Sequence, residues 1–131
     1  MSVLVDTSAW VEFLRNTGSP TCREVDRLLA RRMIVTDPVV MEVLAGARND
    51  AHLRDLRALL GRPTLQACVS ADYLSAALLY RACRSNGETV RKLVDCLIAA
   101  IAIRVGVPLL HVDADFEVLA RHTSLRIHGP G

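Results

Sequence analysis

Eleven consecutive residues, Leu93 to Ile103, read LVDCLIAAIAI, and ten of them are apolar. A helix that is apolar on every side must be covered on every side. The segment therefore predicts a central element enclosed by other layers, not an amphipathic surface helix. Its one interruption is Asp95, and a comparable acid, Glu42, stands inside VVMEVLA. An ionised carboxylate in such surroundings costs several kcal/mol unless it is paired or bound to a metal. Each of these acids requires either an ion pair with one of the fifteen arginines or a cation from outside the chain.

The layers come from the alternation of short Val, Leu and Ile runs with longer helical patterns, which marks strands alternating with helices around a mostly parallel sheet. Val3-Leu4-Val5 predicts the first strand, with a helix from Asp6-Thr7-Ser8 to about Arg15. A second helix opens at Pro20 or Thr21 and carries Val25, Leu28 and Leu29 at helical spacing. Met33 to Val35 predicts a strand, Thr36-Asp37-Pro38 a helix start running to Gly46, and Asp50 to Leu60 another helix. A short extended piece is expected near Leu65 to Cys68, then a helix from Ser70 to about Ser85 closed by Asn86-Gly87. The buried helix is expected from Thr89 to about Val105, followed by a strand at Leu109 to Val112, a helix opened by Asp113, and an edge strand at Leu125 to Ile127. With 131 residues, the expectation is one domain over residues 1–131, an α/β fold forming a three-layer α/β/α sandwich.

Asp6 and Asp113 each follow a predicted strand and precede a helix. Capping accounts for either alone. Together they occupy the carboxyl edge of a parallel sheet, where ligands bind in the crevice beyond the strand ends. Glu42 and Asp95 can reach the same crevice from their helices. Converging carboxylates raise one another's pKa unless a cation neutralises them, and hard oxygen ligands select Mg²⁺ or Mn²⁺. Such ions serve phosphodiester hydrolysis, by activating water and stabilising the leaving oxygen.

Other classes fit poorly. MSVLVDTSAW has no basic n-region and meets an acid at its sixth residue, so no signal peptide is expected. The longest apolar run, Cys96 to Ile103, is eight residues, against the ~20 of a membrane-spanning helix; a cytoplasmic protein is expected. Cys22, Cys68, Cys83 and Cys96 lack C-x-x-C spacing and are expected to be reduced. His52, His111, His122 and His128 show no zinc-binding spacing. The glycine pattern of a nucleotide-binding loop and the G-x-S-x-G of a serine hydrolase are both absent.

Four segments resemble, in order, the motifs of PIN-domain ribonucleases and, within them, the VapC toxins of bacterial type II toxin–antitoxin pairs. They are VLVDTSAWVEFL, DPVVMEVLAG with Glu42, RKLVDCLIAAIA with Asp95, and LLHVDADFEVLA with Asp113 and then Asp115-Phe116. The resemblance spans residues 3 to about 120. It implies a PIN-like fold in which Asp6, Glu42, Asp95 and Asp113 serve catalysis by holding one or two Mg²⁺ or Mn²⁺ ions. It further implies cleavage of structured RNA, commonly tRNA or ribosomal RNA, leaving a 5′-phosphate and a 3′-hydroxyl. A cognate VapB-type antitoxin and a homodimer are the implied partners. Asp115 can ligate the metal, hold a metal-bound water or cap a helix. His111 stands where many relatives carry Thr or Ser, and it can serve the site or be a satisfied sheet-edge residue. Ser8 can support Asp6 or a metal-bound water at the substrate site, or cap its helix.

Two other readings are open on the sequence. A receiver-like phosphoacceptor domain shares acids at strand ends and Mg²⁺, but it needs a lysine at a strand end, and the only lysine, Lys92, falls in a predicted helix. A catalytically silent PIN-like module that binds RNA or protein is disfavoured by the full set of four acids. For RNA, Arg15, Arg91 and Lys92 lie nearest the motif acids and are the candidate phosphate ligands. Aromatics make up only 4% of the chain, so recognition is expected to lean on phosphates and RNA shape rather than stacking. The formal charge of +2 conceals this division. Setting the four acids aside leaves 16 basic and 10 acidic groups, a balance of +6 around a pocket of −4.

Overall fold

The computed structural model describes residues 1–129. Four parallel strands, β1 (Val3–Val5), β2 (Met33–Thr36), β3 (Thr64–Gln66) and β4 (Leu109–Leu110), form one sheet in the order β3-β2-β1-β4. Seven helices flank it: α1 (Thr7–Leu14), α2 (Pro20–Leu29), α3 (Asp37–Ala45), α4 (Asp50–Leu60), α5 (Ser70–Ser85), α6 (Leu93–Val105) and α7 (Ala114–His122). The chain steps from β1 to β2 to β3 in one direction and then returns to place β4 on the other side of β1. Crossovers between parallel strands are right-handed, so α1 to α4 cover one face and the β3-to-β4 connection, with α5 and α6, covers the other. The expected three-layer α/β/α arrangement is therefore present.

The apolar run forms a helix covered along its middle, from Asp95 to Ala102, while Leu93 at its start is exposed. Cys96 to Ala102 of α6 are all buried, as are Leu4, Val5, Trp10, Leu109, Leu110 and Phe116 against which the core is built. Gly106 ends α6 in the left-handed region, φ 72, where its amide bonds back to Ala102 and Ile103; an L side chain is strained there. No described helix is long and apolar enough to cross a membrane. All four cysteines are free thiols.

Four boundaries differ from expectation. The buried helix begins at Leu93 and not Thr89, because the main-chain N–H groups of Arg91 and Lys92 are drawn to the Asp115 carboxylate, 3.2 Å each. That bonding holds residues before Leu93 out of the helix. β4 stops at Leu110 instead of Val112, whose N–H leaves the ladder to donate to Ser8 Oγ at 3.0 Å. β3 covers Thr64–Gln66 rather than Leu65 to Cys68. Leu125 to Ile127 forms no strand; a single parallel bridge joins Ile127 to Leu109.

Candidate functional site

The sheet order fixes where the acids meet. β1 is the strand from which the chain goes to one side first and the other side later, so the crevice between the carboxyl ends of β1 and β4 is the switch point at which such sheets bind ligands. Asp6 leaves β1 there, its N–H bonded to Leu110 O at 2.9 Å. Asp113 lies three residues beyond β4.

Both residues cap helices, and both have capacity left. Asp6 Oδ2 accepts from the Ser8 amide at 2.9 Å and from Ser8 Oγ at 2.6 Å. The same hydroxyl accepts from Val112 N, so Ser8 ties the ends of β1 and β4 together. Asp6 Oδ1 is buried with no partner. Asp113 Oδ1 accepts from the Asp115 amide at 3.0 Å and caps α7.

Asp6, Glu42 and Asp95 line one cavity of about 330 Å³ together with Ser8, Glu12 and Lys92. Thr7 Oγ1 donates to Glu42 Oε1 at 2.7 Å and holds that carboxylate from α1. Asp95 belongs to a second set as well. It lies with Asp113 and Asp115 so that one carboxylate oxygen of each falls within 4.8 Å of the others, a grouping that could hold a metal ion. Asp95 thus joins the two sets.

Neither Glu42 nor Asp95 has an arginine partner among the described residues. Asp95 Oδ2 is buried without a hydrogen bond, and its nearest cation is Lys92 Nζ at 3.8 Å. Among the described residues three buried side-chain polar atoms lack partners: Asp6 Oδ1, Asp95 Oδ2 and the Trp10 indole nitrogen. Two of the three are carboxylate oxygens on residues of the same cavity. Buried polar groups are nearly always satisfied, so this pair is an unfilled demand for positive charge, and oxygen donors of this kind suit a hard divalent cation. The residues present fit such an ion.

The electrostatics agree. Burial, a shared hydrogen bond with Asp115 and the charge of Asp6 push the Asp95 carboxyl up to about 8. Burial also raises Asp6, against the lowering effect of the Ser8 bonds. Asp113 and Asp115 go the other way. Burial opposes ionisation in both, but Lys92 and the Asp115 amide hold Asp113 below the ordinary range, and the Arg91 amide, Asp95 and the Arg91 side chain do so for Asp115.

The structure places the three candidate RNA-contacting cations differently. Lys92 Nζ sits 2.8 Å from Asp113 Oδ2, and Arg91 bridges Asp113 at 3.0 Å and Asp115 at 3.2 Å. Both side chains remain more than half exposed. Contrary to the expectation that it lies within a helix, Lys92 is the extended N-cap of α6, and its ammonium reaches the acids without standing at a strand end. Arg15 lies across Glu42, on a neighbouring groove. His111 Nδ1 accepts from the Asp113 amide and Nε2 meets Glu117 at 2.8 Å, so the ring is satisfied and orients the Asp113 backbone. Thr7 and Glu12 were not singled out from sequence. Thr7 follows Asp6 directly, yet its partner is 35 residues away, which no local pattern shows.

With this geometry established, the relatives are informative. The PIN domain family is matched over residues 3–122. The VapC ribonuclease Mb1587 of Mycobacterium bovis and ribonuclease VapC11 of Mycobacterium tuberculosis are each 49% identical over 128 residues, 95% of this chain and 96% of theirs. Among solved structures, VapBC2 from Rickettsia felis, bound to a DNA fragment from its promoter, superposes with a TM-score of 0.79. It is 16% identical, and the match covers 98% of each chain.

Proposed function

The chain belongs to the PIN domain family, and from that premise we propose that it is the toxin of a type II toxin–antitoxin pair. It acts as an endoribonuclease on structured RNA, tRNA or ribosomal RNA, in the cytoplasm, as a single PIN domain over residues 1–131. The observation that carries this reading is the pair of orphaned buried oxygens, Asp6 Oδ1 and Asp95 Oδ2, on residues lining one cavity with Glu42.

Asp6, Glu42, Asp95 and Asp113 would hold Mg²⁺ or Mn²⁺, with Asp115 beside them. The bound cation supplies neutralisation of the carboxylates, a more acidic water and stabilisation of the leaving oxygen. The chain's own residues prepare the place. Ser8 fixes one oxygen of Asp6 and leaves the other free, and Thr7 fixes Glu42. Asp95, pushed up to about 8, holds a proton at neutral pH and would give it up on ligating a cation. Lys92 and Arg91, more than half exposed on long stems beside Asp113, would take substrate phosphates. Arg15 supports phosphate from the other side. Cleavage leaves a 5′-phosphate and a 3′-hydroxyl.

The relatives include VapBC complexes, and a VapB-type antitoxin and a homodimer are the partners proposed here. The test is cleavage of total bacterial RNA by the purified protein with Mg²⁺ or Mn²⁺, mapping 5′-phosphate ends for the native chain and for Asp6→Asn. Discrete ends from the native protein alone support the reading. Identical ends from both, or none from either, contradict it. On induction in a bacterial host the native chain should arrest growth and Asp95→Asn should not, with rescue by the neighbouring antitoxin gene.

A further inference from the structure

The carboxylate cavity does not end at Glu42. Thr7, Val11 and Glu42 are shared with a second groove of about 380 Å³ between α1 on one side and α3 and α4 on the other. The two adjoin along α1. The two differ in chemistry. The floor of the groove is apolar, with Val43 and Leu56 buried beneath it. Its rim carries two guanidinium groups, Arg15 and Arg48, and neither has a carboxylate partner among the described residues, unlike Arg27, Arg91, Arg104 and Arg121.

The groove also contains a fixed donor. The Arg48 amide donates to His52 Nδ1 at 3.0 Å, and Asn49 Oδ1 takes the His52 amide at 2.8 Å at the start of α4. With Nδ1 engaged as an acceptor, the neutral ring carries its proton on Nε2. No described residue accepts from that nitrogen. A concave apolar floor with a few placed polar groups is the form of a small-molecule or nucleotide site. The groove's two arginines outweigh Glu42, which it shares with the negative cavity beside it, and no Phe, Tyr or Trp lines it.

We propose that this groove is the subsite for the nucleotide adjoining the scissile phosphate, an inference that rests on the ribonuclease reading. Arg15 and Arg48 take the neighbouring phosphate. The base and ribose lie on Val43 and Leu56. His52 Nε2–H donates to an acceptor on that nucleotide, which makes His52 a specificity-determining residue. Binding here relieves a difficulty of the carboxylate cavity, which by itself repels the anion it must act on.

The experiment uses the full chain with Mn²⁺ and total bacterial RNA as the probe, following the rate at the mapped cleavage site against RNA and salt concentration. Arg15→Gln and Arg48→Gln should each raise KM roughly fivefold to tenfold with kcat within about twofold, and lower the salt slope by about one. His52→Phe should change the relative use of cleavage sites, since only it removes the fixed donor. Arg54→Gln, an exposed residue of α4 that does not line the groove, is the control and should match the native chain. If native protein cleaves and all three groove variants behave as Arg54→Gln does, the subsite is wrong while the ribonuclease reading stands. If no RNA is cut by the native chain, the ribonuclease reading itself fails. If the variants keep their RNA kinetics but escape inhibition by the antitoxin, the groove docks protein and the proposal is overturned.

Discussion

Of the five buried carboxylates among the described residues, Asp115 is bonded to Arg91, and the other four divide into two pairs that share burial and little else. Glu24 on α2 and Asp72 on α5 each receive an arginine in two-point fashion: Arg27 at 2.7 and 2.6 Å for Glu24, Arg104 at 2.8 and 3.0 Å for Asp72. His128 adds a third bond to Glu24 and the Val69 amide a third to Asp72. Asp6 and Asp95, at the carboxyl edge of the sheet, receive no arginine and keep one oxygen each without a partner. The outcome is opposite in sign. The Arg27 bonds, joined by His128, bring Glu24 down to about 2 against burial, and Arg104 lowers Asp72 in the same way. Burial raises Asp6, and takes Asp95 to about 8. Fifteen arginines were available, so the absence of one at the second pair marks a place kept for a charge from outside.

The strongest way to break this comparison is by activity. Asp95→Asn should lower RNA cleavage about a thousandfold or more, an effect of several kcal/mol on the barrier. Asp72→Asn should leave cleavage within about threefold in protein that remains folded. Comparable losses in both would erase the distinction.

The next test is pH. Asp95 has a folded pKa above its unfolded value of 3.8, so its contribution favours the fold below about pH 4 and is lost as pH rises toward 8. Glu24 has a folded pKa below its unfolded value of 4.5; its contribution is present above that pH and is lost as pH falls toward 2. Metal-free protein should therefore lose stability on both sides. Asp95→Asn should reduce the alkaline loss, leaving the part due to Asp6 and the acid limb unchanged, and gain about 2 kcal/mol at pH 8. Chemical denaturation across pH checks this, and an unchanged alkaline limb in the variant would count against the assignment.

A smaller effect concerns the surrogate cation. Lys92 Nζ lies 2.8 Å from Asp113 and 3.8 Å from Asp95, so Lys92→Met should bind Mn²⁺ more tightly, by up to about tenfold. Weaker binding would show that the ammonium supports the site instead of competing for it. Of similar size, Asp72→Ala should cost about 1–2 kcal/mol through loss of its arginine and amide bonds, a shift seen in thermal unfolding.

The sequence was most legible where a pattern is local. LVDCLIAAIAI announced a helix covered along its middle because ten of its eleven positions are apolar, and VLV and LLHV followed by acids placed Asp6 at the end of β1 and Asp113 just beyond β4. The misplaced start of α6 is instructive: Thr89 to Lys92 look helical in isolation, and Asp115, more than twenty residues on, takes the amides of Arg91 and Lys92. The expectation of a buried ion pair was sound physics applied to other residues. It describes Glu24 and Asp72, whose surroundings in sequence are polar enough to hide their burial. The Thr7–Glu42 bond and the groove formed by Arg15, Arg48 and His52 depend on how α1, α3 and α4 pack, which no spacing encodes.

The central claim is that the unpaired carboxylates are a cation site. Calorimetric titration of metal-free protein with Mn²⁺ at pH 7, repeated in buffers of different ionisation enthalpy, measures both binding and proton release. The account predicts that the native chain binds Mn²⁺ and releases most of one proton, the one held by Asp95, that Asp72→Asn does the same, and that Asp95→Asn binds far more weakly with no release. Equal binding by Asp95→Asn and the native chain, or binding without proton release, would contradict it.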